Sequence, residues 1–533
     1  MCLIVLRGLW LLFLLSSLAW AQYPPYVYDA DRLAPDFHRE RREHLLERIG
    51  PDGLAVFLSS PVRNRSNDVD YSPYKPENNL YYLSGIDEPE AVLVLSGTPL
   101  EVDGRRTRVV AFVRPRDPQR EIWTGRRPGP ELTERILGLE KVLPTTRFVG
   151  WIDSLLRRFS GVVYLLPPPE GVPEGSALAR QMEALYGALG YRPPGPMERR
   201  VRALLVSADT PERFERVRAM ARAASWTVRD STLRRLLEGM RTAERFEDWQ
   251  QLRTRWLDGL RGRIRVDDTS LLNWMAELRQ IKTDEELRLI RRATEITVEA
   301  HQELLRQARP GMHEYELQAI VEYVFKRRGA EAPGFPSIVG SGENTVILHY
   351  ETNRRQTRAG DLVLVDIGAE YHGYTADVTR TFPISGRFSP EQRAVYEIVL
   401  AAQEAVLRAV KPGATLAELN RIARQEIARG LLRLGLIGEE AEVGRYFMHG
   451  VSHHVGLDVH DVSTGSALEP GMVITVEPGI YIAEGSPCDP KWWNIGVRIE
   501  DMVLVTPQGY ELLSRNAPRT VAEIESLMQE GRK

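Results

Sequence analysis

Four acidic residues that stand inside apolar, strand-like runs constrain the fold of this chain more than any other feature. They are Asp366 in LVLVD, Asp377 in YTADVTRTF, Glu477 in MVITVEPG and Glu500 in VRIEDMVLV. Carboxylates are rarely fully buried unless they are paired or bind a metal. The segment 449–461, HGVSHHVGLDVHD, adds four of the ten histidines of the chain. The C-terminal half is therefore predicted to bring these four acids and one histidine to a single metal site.

The spacing of Asp366 and Asp377 predicts that they lie on neighbouring strands. The two aspartates stand symmetrically about Tyr371-His372-Gly373, where a turn would join two strands, and a hairpin brings residues placed in this way close together. Two like charges at that distance repel, so one pKa rises sharply unless a cation lies between them. A pair of turn or surface aspartates is the alternative.

The other two acids also have structural alternatives. Glu477 follows the apolar run MVITV and precedes Pro478-Gly479. Arg498 lies two positions before Glu500, so the two side chains share one face of any strand there. An exposed strand face, or a purely structural pair of Arg498 and Glu500, would produce the same pattern.

The four carboxylates and the imidazole of His453 form a ligand set dominated by oxygen. Such a set suits Mn²⁺ or another hard divalent ion better than a structural zinc ion, which prefers cysteine and histidine. Two divalent cations would neutralise four carboxylates, and a two-metal site makes hydroxide from bound water near neutral pH. These residues therefore indicate hydrolysis. The neighbouring His454 is predicted to be a packed or surface histidine.

The first half of the chain alternates helical and strand-like segments. FHRERREHLLERI has the apolar spacing of a helix, and LAVFLSS, AVLVLSG, VVAFV and VVYLLP have the composition of strands. This pattern predicts an α/β (α+β) fold with a mixed sheet. The loop-rich stretch between the first two strands is either an ordinary surface loop or an edge that caps the active site of another domain or subunit.

The segment from about 197 to 260 is helical in pattern and rich in arginine. Acidic residues are interspersed in it, which favours solvated helical faces over a membrane or nucleic-acid surface. The formal net charge of −3 and a pI near 6.4 give no electrostatic case for nucleic acid. The two cysteines, Cys2 and Cys488, allow no disulfide framework once a leader is removed.

Four helices are predicted in the second half. Thr283 followed by Glu286 has the spacing of a capping box that starts the first helix, and Pro310-Gly311 ends it. The other three are ELQAIVEYVFKRRGA, EIVLAAQEAVLRAV and LAELNRIARQEIARGLLRLG. We place an N-terminal domain at 22–275, including the helical stretch at 197–260, and a catalytic domain at 276–533.

The first 21 residues have the features of a secretory signal peptide. Arg7 precedes an apolar run that ends at Leu18, and Ala19-Trp20-Ala21 is a cleavage site of the A-x-A type. The expectation is a secreted or periplasmic protein that begins at Gln22. An uncleaved membrane anchor is less favoured, since the run is nearly long enough to span a bilayer, and a buried helix less still. No other segment is predicted to cross a membrane.

Several motifs resemble the metallopeptidase family of aminopeptidase P and prolidase, which has the pita-bread fold. HGVSHHVGLDVHD matches the signature of that family nearly position for position. APGFPSIVGSGENTVILHY, VDIGAEYHGYTADVTRTFP, TVEPGIYI and NIGVRIEDMVLVT follow in the order of the family, over roughly 275–515. A weaker likeness over 36–96 includes ENNLYYLSGIDEPEAVLVL, which resembles the N-terminal domain of the family.

The resemblance implies a role for each site residue. It makes Asp366, Asp377, His453, Glu477 and Glu500 the ligands of two divalent ions, most simply Mn²⁺, with Asp377 and Glu500 bridging them. Asp366 would hold one ion, and His453 and Glu477 the other. Glu477 would also carry the proton during hydrolysis. His349 and His460 would contact the substrate and stabilise the tetrahedral intermediate, His449 would line the site, and Arg498 would support Glu500.

The resemblance also implies the reaction. The leading hypothesis is a secreted Xaa-Pro aminopeptidase that removes the N-terminal residue from peptides with proline second. The alternatives are a prolidase, which cleaves only Xaa-Pro dipeptides, and a non-catalytic binding protein on the same fold. A methionine aminopeptidase and a metal-free, creatinase-like hydrolase are less favoured, because of the large N-terminal domain and the complete ligand set. A homodimer or homotetramer is the assembly that the family implies.

Overall fold

The computed structural model describes residues 29, 31–67, 69–259, 263–465 and 467–532, with the side chains of 257–259 left aside. The predicted signal peptide at 1–21 lies outside these residues. The chain divides into two compact units between Leu272 and Asn273, whereas the sequence interpretation placed the domain boundary between residues 275 and 276. In the described residues, no helix is both long and apolar enough to cross a bilayer.

A six-stranded mixed sheet forms the centre of the first unit, in the order β6-β5-β4-β1-β7-β8. Antiparallel pairs join β1 to β4 and β4 to β5, and parallel pairs join β1 to β7, β7 to β8 and β5 to β6. The predicted mixed sheet is therefore confirmed. The strands are β1 Gly53–Leu58, β4 Val92–Val102, β5 Arg105–Val113, β6 Lys141–Pro144, β7 Gly161–Leu165 and β8 Ile264–Asp267, with a separate pair β2 Asn64–Ser66 and β3 Val69–Asp70.

Helices cover this sheet because their apolar faces complete its core. The core includes Val94, Phe112, Phe148 and Ile152, all of which are buried. The helices of this part are α1 Pro35–Ile49, α2 Asn78–Ser84, α3 Pro118–Thr124, α4 Gly129–Leu137, α5 Phe148–Arg158 and α6 Ala177–Leu189.

The arginine-rich segment is helical, as predicted, and its helices form a bundle with its own core around the buried Trp249. The Trp249 indole donates to the carbonyl of Ala208 at 2.8 Å. Arg213 pairs with Asp209 and Arg245 with Asp248 on exposed faces, so at these positions the arginines are neutralised locally. The bundle consists of α7 Pro196–Ser207, α8 Pro211–Ala223, α9 Ser231–Thr242 and α10 Phe246–Gly259, and α11 Ser270–Gln280 follows it along the chain.

The predicted helices of the second unit are all present. The capping box of Thr283 and Glu286 starts the first of them as expected, and that helix ends at Gln307, just before Pro310. Their inward faces pack around one large core. The helices are α12 Asp284–Gln307, α13 Glu314–Arg327, α14 Pro390–Ala409, α15 Leu416–Arg433 and α16 Val521–Glu530.

The strands that carry the acids form several small sheets. The predicted hairpin is confirmed, because Asp366 pairs with Thr379 across two antiparallel strands. His372 and Gly373 take positive φ angles of 48° and 83° at its tip, and these conformations suit a tight turn. The strands are β9 Ala332–Pro333, β10 Ile338–Ser341, β11 Leu362–Ile367, β12 Ala369–Tyr371, β13 Tyr374–Thr375 and β14 Val378–Pro383.

Glu477 and Glu500 each lie in a short gap between two consecutive strands, and the two gaps are next to each other. Glu477 lies between β15 and β16, and Glu500 lies between β17 and β18, while Val476 pairs with Asp501 and Gly479 with Arg498. The chain therefore changes sheet at both acids, on two adjacent antiparallel segments. The strands are β15 Val473–Val476, β16 Gly479–Ile482, β17 Ile495–Arg498, β18 Asp501–Thr506 and β19 Gly509–Leu512.

Candidate metal centre

All nine predicted site residues line one cavity of about 330 Å³ in the second unit. β11 contributes one aspartate and the residue just before β14 the other, while the two glutamates come from the strand breaks and the histidines from the segment 449–461 and the loop before β11. The nine are Asp366, Asp377, His453, Glu477, Glu500, His349, His449, His460 and Arg498.

His453 is oriented as a ligand. Its Nδ1 lies 3.1 Å from the carbonyl oxygen of His454, to which it can only donate, so Nε2 carries the free lone pair. Nε2 lies 3.5 Å from a carboxylate oxygen of Asp377, 3.5 Å from one of Glu477 and 3.9 Å from one of Glu500. An ion about 2.0–2.2 Å from each ligand would hold the ligand atoms roughly 3 to 4 Å apart. The spacing therefore fits one shared cation.

Two oxygens in this cluster are buried and have no hydrogen-bond partner among the described residues. They are Oδ1 of Asp366 and Oδ1 of Asp377. A buried polar atom without a partner is costly, and a buried carboxylate is normally paired or bound to a metal. Ligand atoms of Asp377, His453 and Glu500 also lie within 4.8 Å of one another. These residues fit a divalent cation.

The pKa values of the clustered carboxylates also indicate a divalent cation. Burial and the carboxylates of Glu500 and Asp366 raise the pKa of Asp377 well above its ordinary value. Burial and Glu500 raise the pKa of Glu477 to about 8, and burial and Asp366 raise the pKa of Glu500 to about 8. Like charges in a buried site disfavour ionisation. A divalent cation would remove that penalty and allow the carboxylates to ionise at neutral pH.

Arg498 pairs with Asp366 rather than directly with Glu500. Its guanidinium donates to Asp366 at 2.6 Å, to the Thr379 hydroxyl at 3.2 Å and to the Tyr481 hydroxyl at 3.0 Å. Burial alone would raise the pKa of Asp366, but Arg498 outweighs it and lowers that pKa. The Thr379 hydroxyl in turn donates to Glu500 at 2.7 Å. The support that Arg498 gives to Glu500 therefore passes through Thr379.

A short hydrogen-bond chain fixes His449. Its Nδ1 donates to the carbonyl of Gly450 at 2.7 Å, and its Nε2 accepts from the Tyr481 hydroxyl at 2.8 Å. That hydroxyl also accepts from Arg498, so the donor and the acceptor of each hydrogen bond from Arg498 through Tyr481 to His449 are defined. Burial lowers the pKa of His449 to about 4. His449 is thus a neutral imidazole at the edge of the site.

His460 is held through its neighbour Asp461. The carboxylate of Asp461 is almost completely buried and accepts from Lys282 at 2.9 Å and from Arg279 at 2.5 Å. The His460 ring itself packs edge-on against the His453 ring, with centroids 4.3 Å apart. Burial lowers the pKa of His460. The buried ion pairs therefore fix the backbone from which His460 reaches the cavity. His349 also lines the cavity and is exposed.

A second buried network braces the strand that follows Glu500. Arg380 is fully buried and donates to Asp501 at 2.7 Å and to the carbonyl of Glu500 at 2.6 Å. Gln403 of α14 donates to the other oxygen of Asp501 at 2.9 Å. Breaking a buried pair of this kind by removing one partner costs about 3–5 kcal/mol. The backbone at Glu500 is therefore held rigidly.

Sequence reasoning missed Thr379 and Tyr481. Thr379 lies two positions after Asp377 in a strand, so its side chain shares a face with the aspartate, and this spacing was a usable signal. Tyr481 lies in the apolar run GIYI, 32 residues from the histidine it contacts, and no local pattern distinguishes it from a core residue. His454 is buried, and its Nδ1 has no hydrogen-bond partner in the part of the chain that the structure describes, as the sequence interpretation expected for a packed histidine.

Two family models match the chain. The model of the N-terminal domain of aminopeptidase P matches residues 38–164, and that of metallopeptidase family M24 matches residues 288–507. All nine site residues fall within the second match. The helical bundle α7–α10 falls within neither.

Individual relatives extend the likeness over nearly the whole chain. Xaa-Pro aminopeptidase from Escherichia coli is 34% identical, over 93% of this chain and 98% of the relative. Human Xaa-Pro dipeptidase is 37% identical over 51% of this chain and 64% of the relative. Among solved structures, E. coli aminopeptidase P in complex with substrate superposes with a TM-score of 0.73 at 32% identity, covering 94% of this chain and 99% of that one. Proline aminopeptidase P II from Yersinia pestis gives 0.73 at 33%, covering 93% and 100%.

Proposed function

The chain belongs to the aminopeptidase P branch of metallopeptidase family M24 and is a metal-dependent peptidase with the pita-bread fold. From this premise we propose that it removes the N-terminal residue from peptides with proline at the second position. The observation that carries the proposal is that relatives named for this activity match both units of the chain, over 93% of its length. The cavity that holds the nine site residues supplies the ligand chemistry that such a peptidase needs.

The proposed cofactor is a pair of divalent ions, most simply Mn²⁺. Asp366, Asp377, His453, Glu477 and Glu500, which all line the cavity, would hold the ions. Oxygen ligands predominate, which suits a hard cation. When bound, such ions lower the pKa of a coordinated water and polarise the scissile carbonyl.

The remaining residues bind substrate and move protons. The carboxylate of Glu477 lines the cavity beside the other proposed ligands, and it would take a proton from the attacking water and pass it to the leaving proline nitrogen. His460 and His349 would donate to the oxyanion of the tetrahedral intermediate. His449, held neutral by burial, would line the pocket, and Arg498 would fix Asp366.

A prolidase is the alternative, and the state of Arg498 favours the aminopeptidase. A dipeptide ends in a carboxylate beside the scissile bond, and an arginine is the natural partner for it. Arg498 lines the cavity, but it is buried and already engaged by Asp366, Thr379 and Tyr481. A peptide that continues beyond proline has no carboxylate at that position, so its binding would not require a free arginine there. The dipeptidase relative also matches only half of this chain.

The test uses the full mature chain, stripped of metal and then supplied with Mn²⁺. An Xaa-Pro-Yaa tripeptide and the matching Xaa-Pro dipeptide are offered in parallel, and release of the first residue is followed. We expect metal-restored cleavage of the tripeptide. Cleavage of the dipeptide alone would make the protein a prolidase, and no cleavage of either with metal bound would favour the binding-protein alternative. Metal analysis of the active protein tests the stoichiometry of two.

We also propose that the chain is exported. The support is the sequence of residues 1–21, which combines a basic residue, an apolar run and Ala19-Trp20-Ala21. N-terminal sequencing of protein recovered from the periplasm or the medium should find Gln22 first. Protein that retains residues 1–21 in the membrane fraction would show an anchor instead.

A homo-oligomer is the proposed assembly. Trp123 and Ile122 at the end of α3 are 87% and 81% exposed, and large apolar side chains exposed together favour protein contacts. Light scattering over a concentration series should give a mass above that of one chain, and replacement of Trp123 by Ser should lower it. An active monomer at every concentration would contradict the proposal.

A further inference from the structure

We propose that Glu314 is a positioning residue of the active site, whose buried carboxylate holds the segment 341–355 so that His349 reaches the cavity. The inference rests on the proposed function, which gives His349 a substrate to contact. Glu314 is the first residue of α13 and its exposed fraction is 0%. It does not line the cavity and is not among the predicted ligands.

The carboxylate of Glu314 accepts five hydrogen bonds, and all of them come from the segment 341–355. Oε1 accepts from the backbone N–H of Ser341 at 2.8 Å, from the Ser341 hydroxyl at 2.7 Å and from the Asn344 amide at 3.0 Å. Oε2 accepts from the Tyr350 hydroxyl at 2.9 Å and from the backbone N–H of Arg355 at 2.8 Å. One buried anion therefore binds the start, the middle and the end of the segment.

The part of the segment that carries His349 depends on this anion. His349 and Ile347 are exposed, and the ring of His349 makes no hydrogen bond within the described residues. The hydrogen bond nearest to it in the chain is that of Tyr350, the next residue, to Glu314. Leu348 and Tyr350 are partly buried and pack against Ile338, Leu364 and Tyr481. The position of the imidazole is thus set by the backbone, which Glu314 restrains through its hydrogen bonds with Tyr350 and Arg355.

The backbone at the end of the segment is tied to α13 as well. The N–H of Glu314 donates to the carbonyl of Arg355 at 2.9 Å. The Arg355 guanidinium returns to the start of the segment, where it donates to the Ser341 hydroxyl at 3.0 Å and pairs with Glu343 at 2.8 Å. Segment and helix therefore form a closed unit with Glu314 at its centre.

An amide cannot replace this carboxylate. All five partners donate to Glu314 in the arrangement found, and an ionised carboxylate is a pure acceptor with sites for about four lone pairs. In Glu314→Gln, the new NH₂ group would face either the backbone N–H of Arg355 or that of Ser341. Two donors then oppose each other in a buried site, and the segment must shift to separate them. Because the metal ligands lie on other segments, the metal site is expected to survive.

The experiment is a double-mutant cycle of Glu314→Gln and His349→Ala, with kcat and KM measured on the proline tripeptide and metal content measured in parallel. We expect Glu314→Gln to lower kcat about 10- to 100-fold, as displacement of a catalytic group by about 1 Å does, with wild-type metal content. In the His349→Ala background the same change should lower kcat less than about 3-fold, because the histidine through which it acts is gone. An equal loss in both backgrounds would overturn the proposal.

A second readout does not use activity. Hydrogen exchange should accelerate in peptides that cover 341–355 in Glu314→Gln. It should stay as in the wild type in the control Glu511→Gln, which alters a partly buried glutamate that pairs with Arg291 at 2.5 and 2.7 Å. Unchanged exchange at 341–355 would contradict the proposal.

The two readouts separate this inference from the function it rests on. If the wild-type protein cleaves neither peptide, the proposed function fails, while hydrogen exchange still decides whether Glu314 holds the segment. If Glu314→Gln does not fold, Tyr350→Phe removes one of the five donors. It should give a smaller loss of kcat that also disappears in the His349→Ala background, and persistence of that loss would overturn the proposal.

Discussion

At the scale of single residues, the charge of the buried Asp377 carboxylate is expected to depend on whether metal is bound. Its carboxylate is 5% exposed and lies among three other acids. Without a cation the pKa of Asp377 lies well above its ordinary value, because burial and the charges of Glu500 and Asp366 oppose ionisation. Without metal, the protonated form of Asp377 is therefore favoured, whereas metal binding requires the ionised carboxylate.

Replacing Asp377 by Asn is expected to have little effect on the metal-free protein and a large effect on metal binding and activity. In chelator, the unfolding free energy should change by less than about 1 kcal/mol, because the amide resembles the protonated acid in shape and charge. With Mn²⁺, the variant should bind less metal than the wild type, and its kcat should fall by about 10³-fold or more, as expected when activated water is lost. Metal analysis and tripeptide hydrolysis measure both effects.

The control for this prediction is Asp489→Asn, at an exposed aspartate that caps a short turn. It should bind metal and hydrolyse the peptide as the wild type does. Intact metal content and intact activity in Asp377→Asn would contradict the metal mechanism itself.

At the scale of elements, α1 is attached to the C-terminal end of α2 by two polar side chains. His38 Nδ1 donates to the carbonyl of Tyr82 at 2.9 Å, and Arg42 donates to the carbonyl of Leu83 at 2.6 Å. Carbonyls in the last turn of a helix have no partner within the helix, so these side chains satisfy them. Burial, with a smaller contribution from the nearby charge of Arg42, lowers the pKa of His38 to about 4.

This arrangement predicts acid-sensitive docking of α1. The pKa of His38 is depressed in the folded state and near 6.5 in the unfolded chain, so its stabilisation is complete above pH 6.5 and is lost as the pH falls towards 4. A shift from 6.5 to about 4 corresponds to about 3 kcal/mol over that window. Hydrogen exchange of Pro35–Ile49 at pH 7 and pH 5, corrected for intrinsic rates, measures it. His38→Gln should show a flatter dependence, and equal slopes for the two proteins would exclude His38 as the cause.

At the scale of the whole molecule, the chain has separate cores for its two units, and the first unit contains a second core in the helical bundle. All five proposed ligands lie in the second unit. A ligand stabilises the folded state that binds it, so the energetic effect of metal is expected to be largest there.

We therefore predict that metal shifts the unfolding of the second unit upwards. At 100 times its Kd, a ligand contributes about 2.7 kcal/mol, which corresponds to roughly 5–10 °C in Tm for a unit of this size. Calorimetry with Mn²⁺ and with chelator measures the shift, and hydrogen exchange assigns it to residues 273–532. Equal protection gained by the helical bundle α7–α10 would contradict this prediction.

The sequence by itself determined the types of the main elements and the composition of the site. Apolar periodicity and the capping box of Thr283 and Glu286 were sufficient for the helices, because both are local properties of the chain. The acids at 366, 377, 477 and 500 were recognisable because carboxylates inside apolar runs need a partner. These four acids, His453 and the four residues that the family resemblance added all line one cavity, although their roles in catalysis stay a prediction.

Only the tertiary structure decided which groups bind to each other. Arg498 could not be assigned to Asp366, 132 residues away, from its position beside Glu500. The sequence around Glu314 does not indicate the five hydrogen bonds that its carboxylate accepts, whose donors lie 27 to 41 residues further along the chain. Hydrogen bonds of this kind depend on the register and packing of distant strands, whereas a sequence pattern reports only the face on which a residue lies. The choice of partners, and with it the positioning of His349, is therefore a property of the folded chain.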